Sequence, residues 1–136
     1  MNQIQFRREL YIPSTIDGLN SCLNVVSELS AQFNLDFNTQ FCLHTVIIEA
    51  VENAIKHGNK YISDSEVRVL FKLSDREIFV EVEDKGEGFD LKSIPSPIDG
   101  VAIQQEGGRG LFFIKSLSSS CCTIGRGNII RIKFKR

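Results

Sequence analysis

The sequence predicts an α+β fold, a two-layer sandwich with helices on one face of a mixed, mostly antiparallel sheet. Three observations carry this. Hydrophobic periodicity changes along the chain in the order strand, helix, helix, strand, strand, loop, helix, strand, strand. Two pairs of alternating runs are joined by short polar links, as in hairpins. The chain has 136 residues, 42% of them hydrophobic, enough for one domain with its own core, so residues 1–136 are read as a single unit.

Residues 4–12 alternate loosely and form the first strand, closed by Pro13. Ser14 or Thr15 offers an N-cap, and Asp17 stands in the first turn of the helix that follows. Ile16, Leu19, Leu23, Val26, Leu29 and Phe33 then recur at helical spacing, to about Asn34. A second helix begins near Asn38 as N-cap, with Leu43, Val46, Ile47, Ala50, Val51 and Ala54 as its apolar stripe and Gly58 as its stop. Val67, Val69, Phe71 and Leu73 alternate in one strand, Ile78, Val80 and Val82 in the next, linked by Ser74-Asp75-Arg76. The stretch from Gly86 to Gly110 has little periodicity and is long for a structureless loop in so small a domain, which marks it as functional. Helical character resumes over 109–117, and a last hairpin, 120–126 and 128–135, turns at Gly125-Arg126-Gly127.

Composition narrows the function classes. A net charge of −1 leaves no electrostatic footprint for nucleic acid or anionic lipid. Arg131, Lys133, Lys135 and Arg136 lie in an alternating terminal strand and read as a solvated face. The cysteines, Cys22, Cys42, Cys121 and Cys122, form no Cys-x-x-Cys pair and read as buried free thiols of a reducing compartment. The N-terminus lacks the apolar core of a signal peptide, and no run approaches a membrane span, so a cytoplasmic protein with no membrane partner is expected.

The informative residues are polar groups where the pattern asks for apolar ones. Glu49, Asn53 and His57 are spaced by four and share one helical stripe. An exposed polar face, with Glu52, Lys56 and Lys60, would explain Asn53 equally well. Asp84 is in phase with Ile78, Val80 and Val82, on the side that faces the helices, where a carboxylate is costly unless it is hydrogen-bonded or meets a ligand. Gly86 and Gly88 follow it and let a ligand approach the backbone. Gly107-Gly108-Arg109-Gly110-Leu111 then opens a helix, presenting free N–H groups and a positive dipole end suited to phosphate. No Gly-Lys-Ser/Thr follows, so the loop is not a P-loop.

Together, Glu49-Ala-Val-Glu-Asn53-Ala-Ile-Lys-His57-Gly58, Asp84-Lys-Gly86-Glu-Gly88-Phe89 and Gly108-Arg-Gly110-Leu111 resemble the N, G1 and G2 boxes of the Bergerat-fold (GHKL, histidine-kinase-like) ATPases. Within that superfamily the chain is most similar to the bacterial anti-sigma factor serine/threonine kinases of partner-switching modules. The lone domain, the strand and long helix before the N box, the form Glu-Ala-x-x-Asn-Ala-x-x-His-Gly and the short loop from Phe89 to Gly108 carry that likeness. The resemblance implies that Asn53 holds Mg²⁺ through its side-chain oxygen and that Glu49 accepts or orients the proton of the attacking hydroxyl. It implies that Asp84 accepts the adenine amino hydrogen, and that Gly86 and Gly88 let the base and a lid, about residues 90–107, close. Gly108, Gly110 and the adjoining Leu111 would bring backbone N–H groups to the phosphates of ATP, with Arg109 and Lys56 adding charge. Asn128 stands where the superfamily often has a Thr that supports the adenine contact, and Glu52 where the kinases commonly have a small polar residue.

The activity so implied is Mg²⁺-ATP-dependent phosphorylation of an anti-sigma antagonist (STAS-type) protein, with a sigma factor as second partner. The alternative is a non-catalytic nucleotide-binding module that switches partners without phosphate transfer; an intact Glu49 favours the kinase. The resemblance also implies a homodimer, to which Phe6 and Tyr11 of the first strand are candidate contributors.

Overall fold

The structure, a computed structural model, describes residues 3–88 and 106–136. In chain order these form β1 (Ile4–Pro13), α1 (Ile16–Gln32), α2 (Phe37–Asn53), a π-helical turn (Ala54–Gly58), β2 (Glu66–Ser74), β3 (Glu77–Glu83), α3 (Glu106–Leu117), β4 (Ser120–Ile124) and β5 (Ile129–Lys135). The sheet runs β1-β2-β3-β5-β4, and every pairing among the described residues is antiparallel, so the expected mixed sheet is corrected to an antiparallel one. Most of the expected lid lies outside the described residues. Its last two positions, Glu106 and Gly107, belong to α3, which starts three residues before the expected 109.

Local chemistry explains the boundaries. Thr15 caps α1, its Oγ1 accepting from Gly18 N–H, while Ser14 turns its hydroxyl to the Ser65 carbonyl instead. The N-cap of α2 is Asp36 rather than Asn38: its carboxylate accepts from Thr39 N–H at 2.7 Å, placing Asn38 inside the first turn. The buried stripe of α1 is Leu19, Cys22, Val25, Val26 and Leu29, whereas Ile16 is exposed. Phe33 meets Phe6 edge-on at 6.0 Å. Phe6 is therefore a core residue, which removes it from the candidate dimer contributors; Tyr11 is exposed. Of the cysteines only Cys22 is fully buried, and Cys122 is exposed, correcting the expectation of buried thiols throughout. Burial pushes the Cys22 thiol up to about 12, which leaves it unreactive.

Alternation divides the sheet cleanly. Val67, Val69, Phe71, Leu73, Ile78, Val80, Val82, Ile130, Ile132 and Phe134 face the helices and form one core with α1, α2 and α3. On the open face an acid is buried among arginines. Glu81, 6% exposed, accepts from Arg131 Nε at 2.7 Å and from Arg68, which also reaches Glu83 at 2.8 Å and Glu9 at 3.3 Å. Burial pushes the Glu81 carboxyl up, but the two guanidiniums outweigh it and hold it below the ordinary glutamate range. With the folded pKa depressed, this stabilisation is present above the unfolded pKa and is lost as pH falls through the folded one. Glu81→Gln is expected to lower unfolding free energy in urea by about 1–3 kcal/mol at neutral pH, with the difference shrinking on acidification. Equal stability of the two proteins at neutral pH would show that the cluster contributes nothing net.

Candidate functional site

One end of the sandwich opens into a cavity of about 810 Å³, a size suited to a small ligand. Its apolar floor is Ala50 of α2, Ala54 of the π turn, Val82 and Ile130 on the sheet, and Leu111 and Ile114 of α3. Polar groups converge from the rim: Asn53, His57 and Asn59 from the end of α2 and its π turn, Asp84 from the end of β3, Arg126 and Asn128 from the β4–β5 turn.

Asp84 is placed as its phase in β3 predicts, on the helix side and half-buried. Its Oδ1 accepts from Gly86 N–H at 2.7 Å, its N–H donates to the Asn128 carbonyl at 3.0 Å, and its carbonyl accepts from Asn128 Nδ2 at 2.9 Å. The amide of Asn128 thus supports the aspartate backbone. Burial raises the Asp84 pKa above the ordinary aspartate value, against the Gly86 hydrogen bond and the Arg126 charge, which lower it. A raised folded pKa means that Asp84 stabilises the ligand-free fold fully below its unfolded pKa, and that this is lost as pH rises through the folded pKa. Accepting a hydrogen bond from a ligand amine has the opposite requirement, because only the carboxylate is a full acceptor. Affinity for an adenine nucleotide is therefore expected to fall on acidification at a higher pH than for a solvent-exposed aspartate. Calorimetric titration across that range checks this, and Asp84→Asn should flatten the profile; an unchanged slope in that variant would detach the effect from Asp84.

The glycines around Asp84 are required by close approach. A Cβ on Gly58 would fall 2.2 Å from the Asp84 carboxyl carbon, and one on Gly86 would fall 2.6 Å from the Gly58 carbonyl oxygen. Gly88 has φ +88°, and a Cβ there would fall 2.1 Å from the Arg126 carbonyl oxygen. Arg126 Nε in turn donates to the Gly86 carbonyl at 2.8 Å, fastening the β4–β5 turn to the loop after β3.

Asn53, which lines the cavity, lies near Glu49 and Gly110, which do not. A Cβ on Gly110 would lie 2.7 Å from Glu49 Oε2 and 3.3 Å from Asn53 Nδ2, so the missing side chain lets α3 rest against both polar groups. Gly108 and Arg109 stand in the first turn of α3, where backbone N–H groups have no partner within the helix. The glycine run expected before the helix is thus its opening turn.

Lys56 is not brought to this cavity; it lines a smaller one of about 280 Å³ with Ile16, Glu52 and Tyr61. His57, four residues on from Asn53 and on its stripe, lines the main cavity instead. Buried Asn59 and exposed Arg126 had no sequence signal, since a polar residue in a turn breaks no periodicity. Gly58, read as a helix stop and as the last residue of the N-box match, is also part of the wall around Asp84.

An inward acid between close-packed glycines, sharing an open cavity with an amide that has a second acid close by, is the lining of a nucleotide-binding domain. Residues 12–134 match the histidine kinase-like ATPase domain, and the chain belongs to that family. It is 35% identical over 124 residues to a serine-protein kinase RsbW of Staphylococcus epidermidis, spanning 86% of this chain and 78% of the relative. It is 33% identical over 116 residues to the serine-protein kinase RsbW of Staphylococcus aureus strain JH9, spanning 80% and 73%. A third serine-protein kinase RsbW, from Oceanobacillus iheyensis, is 25% identical over 115 residues, spanning 80% and 73%.

Proposed function

We propose that the chain is a Mg²⁺-ATP-dependent serine/threonine protein kinase that phosphorylates an anti-sigma antagonist of the STAS type and also sequesters a sigma factor. The observation that carries this is the juxtaposition of Glu49 and Asn53 against the opening of α3, Asn53 lining the same cavity as Asp84.

ATP fits the cavity by chemistry as well as size. The Asp84 carboxylate is the acceptor for the adenine amine, the apolar floor takes the base, and the first-turn N–H groups of α3 take phosphate oxygens. Among the described residues no cluster of three or more His, Cys, Asp or Glu could cage a metal. Mg²⁺ is a hard cation that keeps waters and phosphate oxygens and needs few protein ligands; Asn53 would hold it through its side-chain oxygen. Bound there, Mg²⁺ neutralises phosphate charge. Glu49 takes the proton of the substrate Ser or Thr hydroxyl as its oxygen bonds to the γ-phosphorus and the bond to the β-phosphate oxygen breaks, releasing ADP. Lys56, facing the smaller cavity, has no part in this reading.

Incubation with radiolabelled ATP and a small antagonist protein encoded nearby tests the proposal, with label expected on Ser or Thr of the antagonist. ATP binding without transfer to any such protein would favour the non-catalytic switching module.

The functional unit proposed is a cytoplasmic homodimer, with Tyr11 on the open sheet face as a contributor and Phe6 excluded. Sedimentation is expected to give twice the chain mass at micromolar concentration; a monomer at high micromolar concentration would remove the dimer.

A further inference from the structure

Asn59 is 3% exposed and all of its polar atoms are engaged. Its Nδ2 donates to Ser14 Oγ at 3.0 Å and to the Ser65 and Glu66 carbonyls at 3.1 Å. Its Oδ1 accepts from Lys85 N–H at 2.8 Å. Two carbonyls on one side and an N–H on the other fix which way the amide points. One half of Asn59 therefore ties the π turn to the ends of β1 and β2. The other half reaches the peptide that follows Asp84.

That peptide is held at both ends. Its carbonyl, from Asp84, accepts from the Asn128 side chain, and its N–H, from Lys85, donates to the Asn59 side chain. Because a peptide is planar, gripping its carbonyl and its N–H fixes the plane and with it ψ of Asp84. The Asp84 N–H bond to the Asn128 carbonyl anchors the other side of the residue. With its backbone held, the carboxylate has little freedom beyond its own side-chain torsions.

We infer that Asn59 is a positioning residue for base recognition: through Lys85 N–H it aims the Asp84 carboxylate at the exocyclic amine of adenine. The inference rests on the reading of Asp84 as the adenine acceptor. It makes the end of α2 part of base selectivity as well as of the phosphate side.

The test compares affinity for ATP with that for purine riboside triphosphate, which lacks the exocyclic amine. The intact protein is expected to prefer ATP by about tenfold or more, the worth of one charge-assisted hydrogen bond. In Asn59→Ala the preference should shrink to within about threefold, because a loosened Asp84 loses the amine and little else. Ser14→Ala cuts only the other half of the Asn59 network; it should lower the melting temperature and leave the preference intact. A full preference in a folded Asn59→Ala protein overturns the inference, as does an equal loss in Ser14→Ala, which would mark a merely structural role. Should Asn59→Ala give no cooperative melt, hydrogen exchange at the Lys85 amide of the intact protein decides: slow exchange supports the bond, and the rate of a free loop amide overturns it. No preference for ATP in the intact protein would instead remove the Asp84 assignment, and the inference with it.

Discussion

Glu49→Ala is expected to cut phosphate transfer by about 10²–10⁴-fold while leaving the dissociation constant for ATP within about threefold. Glu49 lies one helical turn before Asn53, and its carboxylate stands beside Gly110 at the opening of α3. It does not line the cavity whose far side holds Asp84, so base recognition should not depend on it. On the proposed mechanism the substitution removes the group that would receive the hydroxyl proton, and a positioned acid–base group contributes in that range. Asn53→Ala should behave differently, lowering binding and transfer together, because the proposed Mg²⁺ would lose its protein ligand. Filter binding and single-turnover transfer separate the two outcomes. Transfer at the unaltered rate in Glu49→Ala would reduce Glu49 to a helix-surface residue.

Gly58→Ala should lower ATP affinity by about a hundredfold or more, although one methyl group is all that is added. The new Cβ would fall 2.2–2.5 Å from the carboxyl atoms of Asp84. The aspartate backbone cannot give way easily, being hydrogen-bonded to Asn128 on both its N–H and its carbonyl. The carboxylate must therefore swing out of its place, and the Gly86–Gly58 contact opens with it. Thermal melting should change little, since Gly58 ends a helical turn where alanine is intrinsically favourable. A double-mutant cycle with Asp84→Asn makes the argument specific: the two losses should be far from additive, because both remove the same acceptor. Additive losses would place the effect of Gly58 elsewhere.

The element order and the core were legible because alternation and helical spacing respond to burial, and every apolar position assigned to the stripe of α2 is buried. Asp84 was legible for a related reason: it occupies an apolar phase, and that conflict is visible in one dimension. The caps were harder. Asp36 and Asn38 are both good N-cap residues, and only the backbone geometry, extended at Asp36, chooses between them. The π turn left no trace in composition, whereas His57, which lines the main cavity, was on the Asn53 stripe by its spacing of four. Asn59 was invisible for the opposite reason to Asp84: turns are expected to be polar, so a buried amide there conflicts with nothing. Gly58 carried two roles, and the helix-stop signal hid the steric one.

The strand order has a consequence for the way the molecule is made. β5 lies inside the sheet, between β3 and β4, although it is the latest element in the sequence, and its pairing with β3 joins residues such as Glu81 and Arg131, fifty positions apart. Closing so long a loop is the slow kind of step in folding. Asn128 stands just before β5, so the clamp on Asp84 forms only when that closure is done. A chain still being synthesised, or one whose C-terminal hairpin has not docked, has α2, α3 and the glycines but no fixed acceptor for a base. Nucleotide would then bind only the completed sheet and draw the folding equilibrium toward it by mass action. Competence to bind ATP thereby reports that this domain has finished folding.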